Sequence, residues 1–158
     1  MSEQGPGGST YTFRSRWHLA AAPARVYAVL ADVEGYPSWW PQVRRARRLD
    51  AESGELTCRS LLPYDLTFVM RREVEDADAL VLRARLTGDL TGTSQWTVRA
   101  DARGTVAVFD EQVTVGDGRL RAAGRLLRPA LRFNHDLMMR CGERGLRSHL
   151  RSSAPSGG

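Results

Sequence analysis

The segment from Arg132 to Leu146, RFNHDLMMRCGERGL, decides the fold, because its pattern predicts a long helix with two different faces. At about 100° per residue, one face has Met138 at its centre and also carries Asn134, Gly142 and Gly145. The opposite face is charged and contains Asp136, Arg140, Glu143, Arg144 and Arg147. The helix is therefore expected to cover a sheet with the first face and to meet solvent with the second.

The inward face of this helix carries glycine and polar side chains where leucine would be usual. Gly142 and Gly145 each cost about 1 kcal/mol of helix propensity, which indicates that packing requires a close approach of the backbone. Asn134 lies on the same face and His135 lies beside it. The helix, expected from about Pro129 to Leu150, therefore turns an amide and an imidazole toward its partner.

The chain before this helix predicts an antiparallel meander. Apolar and polar residues alternate from Tyr11 to Leu19, as in a half-buried strand. A helix begins at about Pro23, and a short aromatic turn with the sequence YPSWWPQV follows it. Six more alternating segments follow, and one of the turns between them is predicted at Glu52–Gly54. The six segments are Val43–Leu49, Leu56–Leu62, Leu66–Val74, Leu80–Thr87, Gln95–Arg99 and Val106–Val115.

This order of elements predicts one α+β domain with the helix-grip fold. In that fold a curved, antiparallel, seven-stranded sheet wraps around a long C-terminal helix, and two short helices follow the first strand. The length of 158 residues suits a single domain. We expect this domain to cover residues 10–151, between disordered tails at 1–9 and 152–158 that are rich in Gly, Ser and Pro.

Composition limits the classes of partner. All 23 basic residues are arginine and the net charge is +5, with a local cluster at Arg44, Arg45, Arg47 and Arg48. No helix-turn-helix, zinc-finger or RNA-stacking motif accompanies the cluster, so we expect no nucleic-acid partner. No apolar run approaches the roughly 18 residues that span a bilayer, and the N-terminus does not resemble a signal peptide. A cytoplasmic location without stable membrane insertion is expected.

No cofactor is expected either. The two cysteines, Cys58 and Cys141, lack metal-ligand spacing and are predicted to be buried thiols. Neither a metal-binding motif nor a phosphate-binding glycine loop occurs in the sequence, which argues against metal ions and nucleotide cofactors.

Three stretches of the chain resemble a known family. The segment APARVYAVLADVEGYPSWWPQVRRARRLD is similar to the opening of the polyketide cyclase/dehydrase group of the START/Bet v 1-like (SRPBCC) superfamily. The segments LTGDLTGTSQWTV and FNHDLMMRCGERGLRSHL resemble the later strands and the helix of that group. The resemblance covers about Tyr11 to Leu150 and implies a deep cavity between sheet and helix, open near the aromatic turn.

The resemblance also implies a type of chemistry. Aromatase/cyclases of the family fold a nascent polyketide in the cavity and assist aldol condensation and dehydration. They carry an arginine after the third strand and a tyrosine after the aromatic turn. In this chain a leucine in the stretch Leu61–Asp65 stands closest to the position of that arginine, and Val43 corresponds best to the tyrosine. No catalytic residue is therefore carried over.

The alternation of the strands supplies candidate site residues directly. In the last strand the more apolar set includes Phe109 and Val113, and this set brings Glu111 inward with it. A carboxylate in an apolar cavity has a raised pKa and needs a partner, which His135 or Asn134 could be. A slip of one residue in register would instead put Glu111 outside.

We therefore predict Glu111 and His135 as a catalytic acid/base pair, because enolisation and dehydration need a base near a carbonyl α-carbon and an acid for the leaving hydroxyl. The structural alternative is a glutamate paired with arginine and a histidine bonded to a backbone carbonyl. Ligand contacts are predicted for Tyr36, Trp40, Ser60, Tyr64, Ser94, Trp96, Asn134 and Met138.

Three hypotheses about function follow. The first is a polyketide cyclase/dehydrase-like protein that binds, and potentially converts, a hydrophobic small molecule. The second is a carrier or sensor of a lipid, quinone or polyketide that performs no chemistry. The third is an interaction module that uses the arginines at 44–48. The sequence leaves a homodimer open.

Overall fold

The computed structural model describes residues 10–59, 65–115 and 127–153. The predicted tail at 1–9, and residues 154–158 of the second predicted tail, lie outside these ranges. The strands are β1 Thr10–Leu19, β2 Val43–Arg48, β3 Ser53–Cys58, β4 Leu66–Asp76, β5 Val81–Gly88, β6 Leu90–Asp101 and β7 Gly104–Val115. The helices are α1 Pro23–Ala31, a 3-10 helix Val33–Ser38, and α2 Leu127–Ser152.

The seven strands form one antiparallel sheet in the order β1-β7-β6-β5-β4-β3-β2. Each strand from β2 to β7 pairs with its neighbours along the chain, and β1 returns to pair with β7. The strands β1 and β2 are therefore the two edges, and the two short helices connect them. This arrangement confirms the predicted α+β helix-grip fold.

Local sequence explains the first elements. In β1 the side chains of Tyr11, Trp17 and Leu19 are buried, while the alternate residues Arg14 and Arg16 are exposed. Pro23 occupies the start of α1, where its missing N–H costs nothing. The helix then buries Val26, Tyr27 and Leu30 against the sheet at helical spacing.

One predicted turn is misplaced. Glu52–Gly54 was expected as the turn between β2 and β3, but β3 already begins at Ser53. The chain reverses earlier because Asp50 Oδ1 accepts hydrogen bonds from the backbone N–H groups of Glu52 and Ser53, each at 2.8 Å. Aspartate commonly forms such turns. The hairpin is therefore shifted, and β3 ends at Cys58.

The strand β6 is longer than its predicted core of Gln95–Arg99. It begins at Leu90 and runs through Gly92, whose φ of 154° and close neighbours explain the choice of glycine. A Cβ at Gly92 would lie 1.9 Å from the backbone oxygen of Gln112 on β7. The alternation of apolar and polar residues did not predict this half of the strand, because its residues are mostly small or polar.

An aromatic cluster joins α2 to the sheet and the short helices. Trp17 on β1 packs edge-to-face with Trp39 and Trp40, with ring centroids 6.3 and 5.3 Å apart. A Cβ at Gly142 would lie 2.5 Å from Trp40 Cε2, and one at Gly145 would lie 1.7 Å from the backbone oxygen of Trp39. The close approach predicted from the two glycines is confirmed.

The inward face of α2 is rotated from its predicted centre. Met139, Leu146 and Leu150 are buried, whereas Met138 is only half-buried. The aromatic cluster approaches the helix at Gly142, which is buried on the same side as Met139 and Leu146. His135 consequently lies near the centre of the inward stripe.

The two sheet edges are shielded differently. On β1, the backbone N–H of His18 donates to Glu143 Oε1 at 3.4 Å, and Arg147 Nε donates to the His18 backbone oxygen at 3.0 Å. The α2 helix thus satisfies an unpaired part of this edge. The edge strand β2 instead carries Arg44, Arg45, Arg47 and Arg48, all exposed.

Candidate functional site

A cavity of about 120 Å³ lies between the sheet and the N-terminal half of α2. We call it the helix chamber. It is lined mainly by apolar side chains, including Phe68, Leu86 and Val113. The predicted site residues that line it are Tyr36, Trp40, Ser94, Trp96, Glu111, Asn134, His135 and Met138. The predicted residues Ser60 and Tyr64 lie outside the described residues.

Glu111 projects from the middle of β7 into this chamber, as the alternation predicted. Its neighbours in the sheet are Phe13 on β1 and Ser94 on β6. The Glu111 side chain is only 13% exposed. Burial among apolar groups disfavours the carboxylate and raises the pKa of Glu111 to about 7. Near neutral pH this group is therefore present in both protonation states.

His135 reaches the chamber from α2 and faces Glu111. Its ring stacks on Phe13, with centroids 3.8 Å apart and planes 9° from parallel. Burial lowers the pKa of His135 to about 4, although the charge of Asp136 acts in the opposite direction. His135 Nδ1 is buried and has no hydrogen-bond partner among the described residues.

The two groups form a close pair but not an ion pair. His135 Nε2 lies 3.8 Å from Glu111 Oε1, beyond hydrogen-bond distance. Because burial favours the neutral form of each, the imidazole is uncharged near pH 7 and the carboxyl can hold its own proton. The gap leaves the facing atoms of both side chains available to a third group, such as a ligand carbonyl or hydroxyl.

Other polar groups of the chamber have more restricted roles. Burial, and then the charge of Glu111, raise the pKa of Cys58 to about 12, so its thiol is protonated and a poor nucleophile. Ser94 is buried with 6% exposure and presents a hydroxyl beside Glu111. Asn134 contributes its amide from α2.

The predicted aromatic contacts serve as fixed walls. Tyr36 donates a buried 2.6 Å hydrogen bond to the Leu30 backbone oxygen, and burial raises the pKa of its phenol. Trp40 Nε1 donates to the Met138 backbone oxygen at 2.9 Å. Trp96 packs between Trp17 and Phe109, with ring centroids 4.7 Å from each. These rings shape the chamber and leave chemistry to Glu111 and His135.

Phe13 and Arg59 line the chamber but were not among the predicted site residues. Phe13 lies on the same face of β1 as Tyr11, but its contact with His135 depends on the β1–β7 register, which the sequence does not show. Arg59 was missed because β3 was expected to continue to Leu62. With β3 ending at Cys58, the first residue after the third strand is Arg59, which lines the chamber. The correspondence of the family's arginine to a leucine in Leu61–Asp65 stays a prediction, because residues 61–64 lie outside the described ranges.

Within the described ranges, no group of three or more His, Cys, Asp and Glu side chains is arranged to hold a metal ion. No helix in the same part of the chain is long and apolar enough to cross a membrane.

Comparison with protein families gives a match over residues 10–148 to the model described as polyketide cyclase/dehydrase and lipid transport. The chain belongs to this family. The sequence resemblance to the polyketide cyclase/dehydrase group is thereby confirmed. Comparison with curated proteins gives no match.

Solved structures show the same fold at low sequence identity. The Zhui aromatase/cyclase from a Streptomyces species is 20% identical, with a TM-score of 0.78 over 95% of this chain and 100% of that one. A Thermus thermophilus protein is 18% identical, with a TM-score of 0.78 over 92% and 100%. A START superfamily protein from Mycobacterium smegmatis is 10% identical, with a TM-score of 0.64 over 90% and 97%. At these sequence identities, the similarity between this chain and the three solved structures establishes the fold alone.

Proposed function

We propose that this protein binds a hydrophobic, polyketide-like small molecule in the helix chamber and catalyses enolisation or dehydration there. The observation that carries the proposal is that Glu111 and His135, two buried groups whose burial favours their neutral forms, face each other 3.8 Å apart in an apolar cavity. Structural ion pairs are closer and charged, whereas a general acid or base is most effective when its pKa lies near the working pH.

The roles follow from the protonation states. The deprotonated fraction of Glu111, with a pKa of about 7, removes a proton from the carbon next to a ligand carbonyl. Neutral His135 holds the ligand oxygen by a hydrogen bond, because a neutral imidazole both donates and accepts. The protonated fraction of Glu111 serves the reverse task and gives a proton to a leaving hydroxyl.

Arg59 adds a charged group at the end of β3. It is exposed yet lines the chamber, so its guanidinium can meet a carboxylate or enolate oxygen while its stem contacts the apolar part of the ligand. The aromatase/cyclases that this chain resembles also carry an arginine after the third strand. We propose that Arg59 holds the polar end of the ligand.

A second candidate function is a carrier that binds the same molecule without converting it. The observation that favours it is the lining of the helix chamber, in which apolar side chains outnumber polar ones. Native mass spectrometry of protein purified from its own host would detect a co-purified ligand. An intact, unaltered ligand together with no exchange in the assay described next would establish the carrier and overturn the enzyme.

The catalytic proposal can be tested without knowing the substrate. Incubation of the protein with methyl hexyl ketone in heavy water, followed by mass spectrometry, measures exchange of the α-protons. We expect protein-dependent exchange that Glu111→Gln reduces at least tenfold. Asp78→Asn, which removes an exposed carboxylate in the β4–β5 turn, should leave the rate unchanged. Equal rates for wild type and Glu111→Gln would remove Glu111 from the chemistry.

We also infer that the protein has no nucleic-acid partner, since no DNA- or RNA-binding sequence motif accompanies the arginine cluster of β2. A cytoplasmic location is inferred as well. A homodimer remains a prediction from the sequence. Size-exclusion chromatography with light scattering would test the dimer, and retention on a DNA column at low salt would contradict the inference of no nucleic-acid partner.

A further inference from the structure

A second cavity lies on the same face of the sheet as the helix chamber. It has a volume of about 170 Å³ and is bounded by the end of α1, the 3-10 helix and the β2–β3 hairpin. We call it the hairpin chamber. Most of its lining surface is apolar, with Leu30, Val33, Ala46, Leu82 and Ala84 among the apolar residues, and charged side chains also line it. None of the site residues Glu111, His135 and Asn134 reaches it.

The two chambers share a wall. Five side chains line both of them, namely Tyr36, Leu56, Met70, Ser94 and Trp96. Tyr36 is fixed by its hydrogen bond to Leu30, but Met70 is unbranched and half-buried and can change rotamer readily. The boundary is thus one side chain thick and includes a flexible member.

The strand register links the chambers directly. Glu111 on β7 pairs with Ser94 on β6, and Ser94 pairs with Ala84 on β5. This row crosses the sheet from the helix chamber, through the shared wall, to the hairpin chamber. At the usual strand spacing Glu111 and Ala84 lie about 10 Å apart. A chain molecule whose polar group sits at Glu111 would reach the hairpin chamber within a few bonds.

Size supports a joint site. Pockets for small molecules usually hold about 300 Å³ or more. Neither chamber reaches that volume alone, at about 120 and 170 Å³, whereas together they approach it.

The mouth of the hairpin chamber suits an uncharged end of a ligand. Arg48 Nε contacts Glu34 Oε1 at 2.6 Å and joins β2 to the 3-10 helix across the mouth. The other lining arginines also have carboxylate partners, since Arg47 pairs with Glu55, Arg72 with Glu75 and Arg83 with Glu73. These arginines are therefore already neutralised and give no free anion site.

We propose that the two chambers form one binding site for an elongated, mostly apolar molecule. Its polar group lies between Glu111, His135 and Ser94, and its uncharged tail passes Met70 into the hairpin chamber. This inference rests on the proposed ligand-binding function of the helix chamber and adds a selection for chain length. A compact ligand fills only the first chamber, whereas a long one gains the apolar contacts of the second.

The test compares two ketones by displacement of the fluorescent apolar dye N-phenylnaphthylamine. Methyl hexyl ketone is short, and methyl dodecyl ketone is long enough to reach the second chamber. Ala84→Phe and, independently, Ala46→Phe fill the hairpin chamber from two strands without touching the helix chamber. Ala28→Phe, on the exposed side of α1, is the matched control. Thermal unfolding shows which variants remain folded.

We expect either filled variant to weaken binding of methyl dodecyl ketone at least tenfold and to change that of methyl hexyl ketone less than twofold. The control should change neither. Equal affinities of the filled variants and wild type for the long ketone would overturn the joint site and leave the helix chamber intact. Failure of both ketones to displace the dye from wild type would overturn the proposed function as well.

Discussion

The two halves of α2 use the same helix for opposite purposes. In the C-terminal half, Gly142 and Gly145 allow contact with Trp39 and Trp40 so close that no Cβ fits. In the N-terminal half, Asn134 and His135 line the helix chamber, and the His135 ring contacts the sheet at Phe13. The packed half therefore fixes the height of the helix above the sheet, and the chamber at the other half occupies the space that this height leaves.

The largest effect is expected from a substitution that breaks the packed half. Gly145→Ala would place a Cβ 1.7 Å from the Trp39 backbone oxygen, which cannot move as a side chain could. We expect a loss of about 3 kcal/mol in the free energy of unfolding, at the upper end of overpacking costs. Denaturant unfolding measures it, with the exposed Ser148→Ala as the control. Unchanged stability would show that the glycine is not required by packing.

A pH-dependent change of similar size is expected from the half that lines the helix chamber. The raised pKa of Glu111, about 7 against an ordinary 4.5, means that the folded state binds the proton more tightly. Its contribution to the free energy of unfolding therefore falls as pH rises from about 4.5 to 7, by on the order of 3 kcal/mol. His135, with its pKa lowered from 6.5 to about 4, contributes in the opposite sense, because its share rises with pH over that window.

In the wild type these two contributions largely cancel, so Glu111→Gln should expose the one from His135. We expect the stability of the variant relative to wild type to increase between pH 4.5 and 7, by up to about 3 kcal/mol. Urea unfolding at a series of pH values measures the difference. A difference that stays constant with pH would show that Glu111 is not desolvated in the folded protein.

Replacement of the His135 imidazole is expected to have a smaller effect and to increase, not decrease, the free energy of unfolding. His135→Phe keeps the stack on Phe13 and removes the buried, unpartnered Nδ1. We expect the free energy of unfolding at pH 7 to rise by about 1 kcal/mol, while α-proton exchange of methyl hexyl ketone falls. Thermal unfolding and the exchange assay give the two readings. A loss of stability would instead identify His135 as a structural residue.

The smallest effect is expected at the edge of the chamber. Arg59→Gln should weaken binding of tetradecanoate about fivefold, as expected for a partly exposed charge contact of about 1 kcal/mol. Binding of the uncharged methyl dodecyl ketone should not change, and neither should stability. Dye displacement by both molecules provides the measurement. Equal weakening of both would mean that Arg59 shapes the cavity without recognising charge.

The sequence predicted most of the fold because each element carries its own local pattern. The alternation of β1, the proline that begins α1 and the glycines of α2 each depend on neighbours within a few residues. The early turn at Asp50 was not predicted because a hydrogen bond to the Asp50 side chain stabilises it, and no glycine marks it. The rotation of α2 was not predicted because the tryptophans that pack against Gly142 and Gly145 are distant in sequence.

The sequence predicted which residues line the candidate site better than it predicted their contacts. Glu111 and His135 were found from periodicity alone, and the structure brings them to 3.8 Å. The stack on Phe13, the adjacency of Ser94 and the position of Arg59 depend on strand register and on where β3 ends. The second chamber depends on the spacing of whole elements, for which no local pattern exists.

The arginine-bearing edge of β2 has a consequence for self-association. Two copies that paired through β2 would bring their Arg44 and Arg45 side chains close together, and like charges across strands repel, whereas Arg47 and Arg48 already pair with Glu55 and Glu34. On β1, Glu143 and Arg147 already occupy the backbone groups of His18. Pairing of two β2 edges is therefore disfavoured, and resistance to such strand-to-strand aggregation should weaken at about 1 M salt, where screening shortens to about 3 Å.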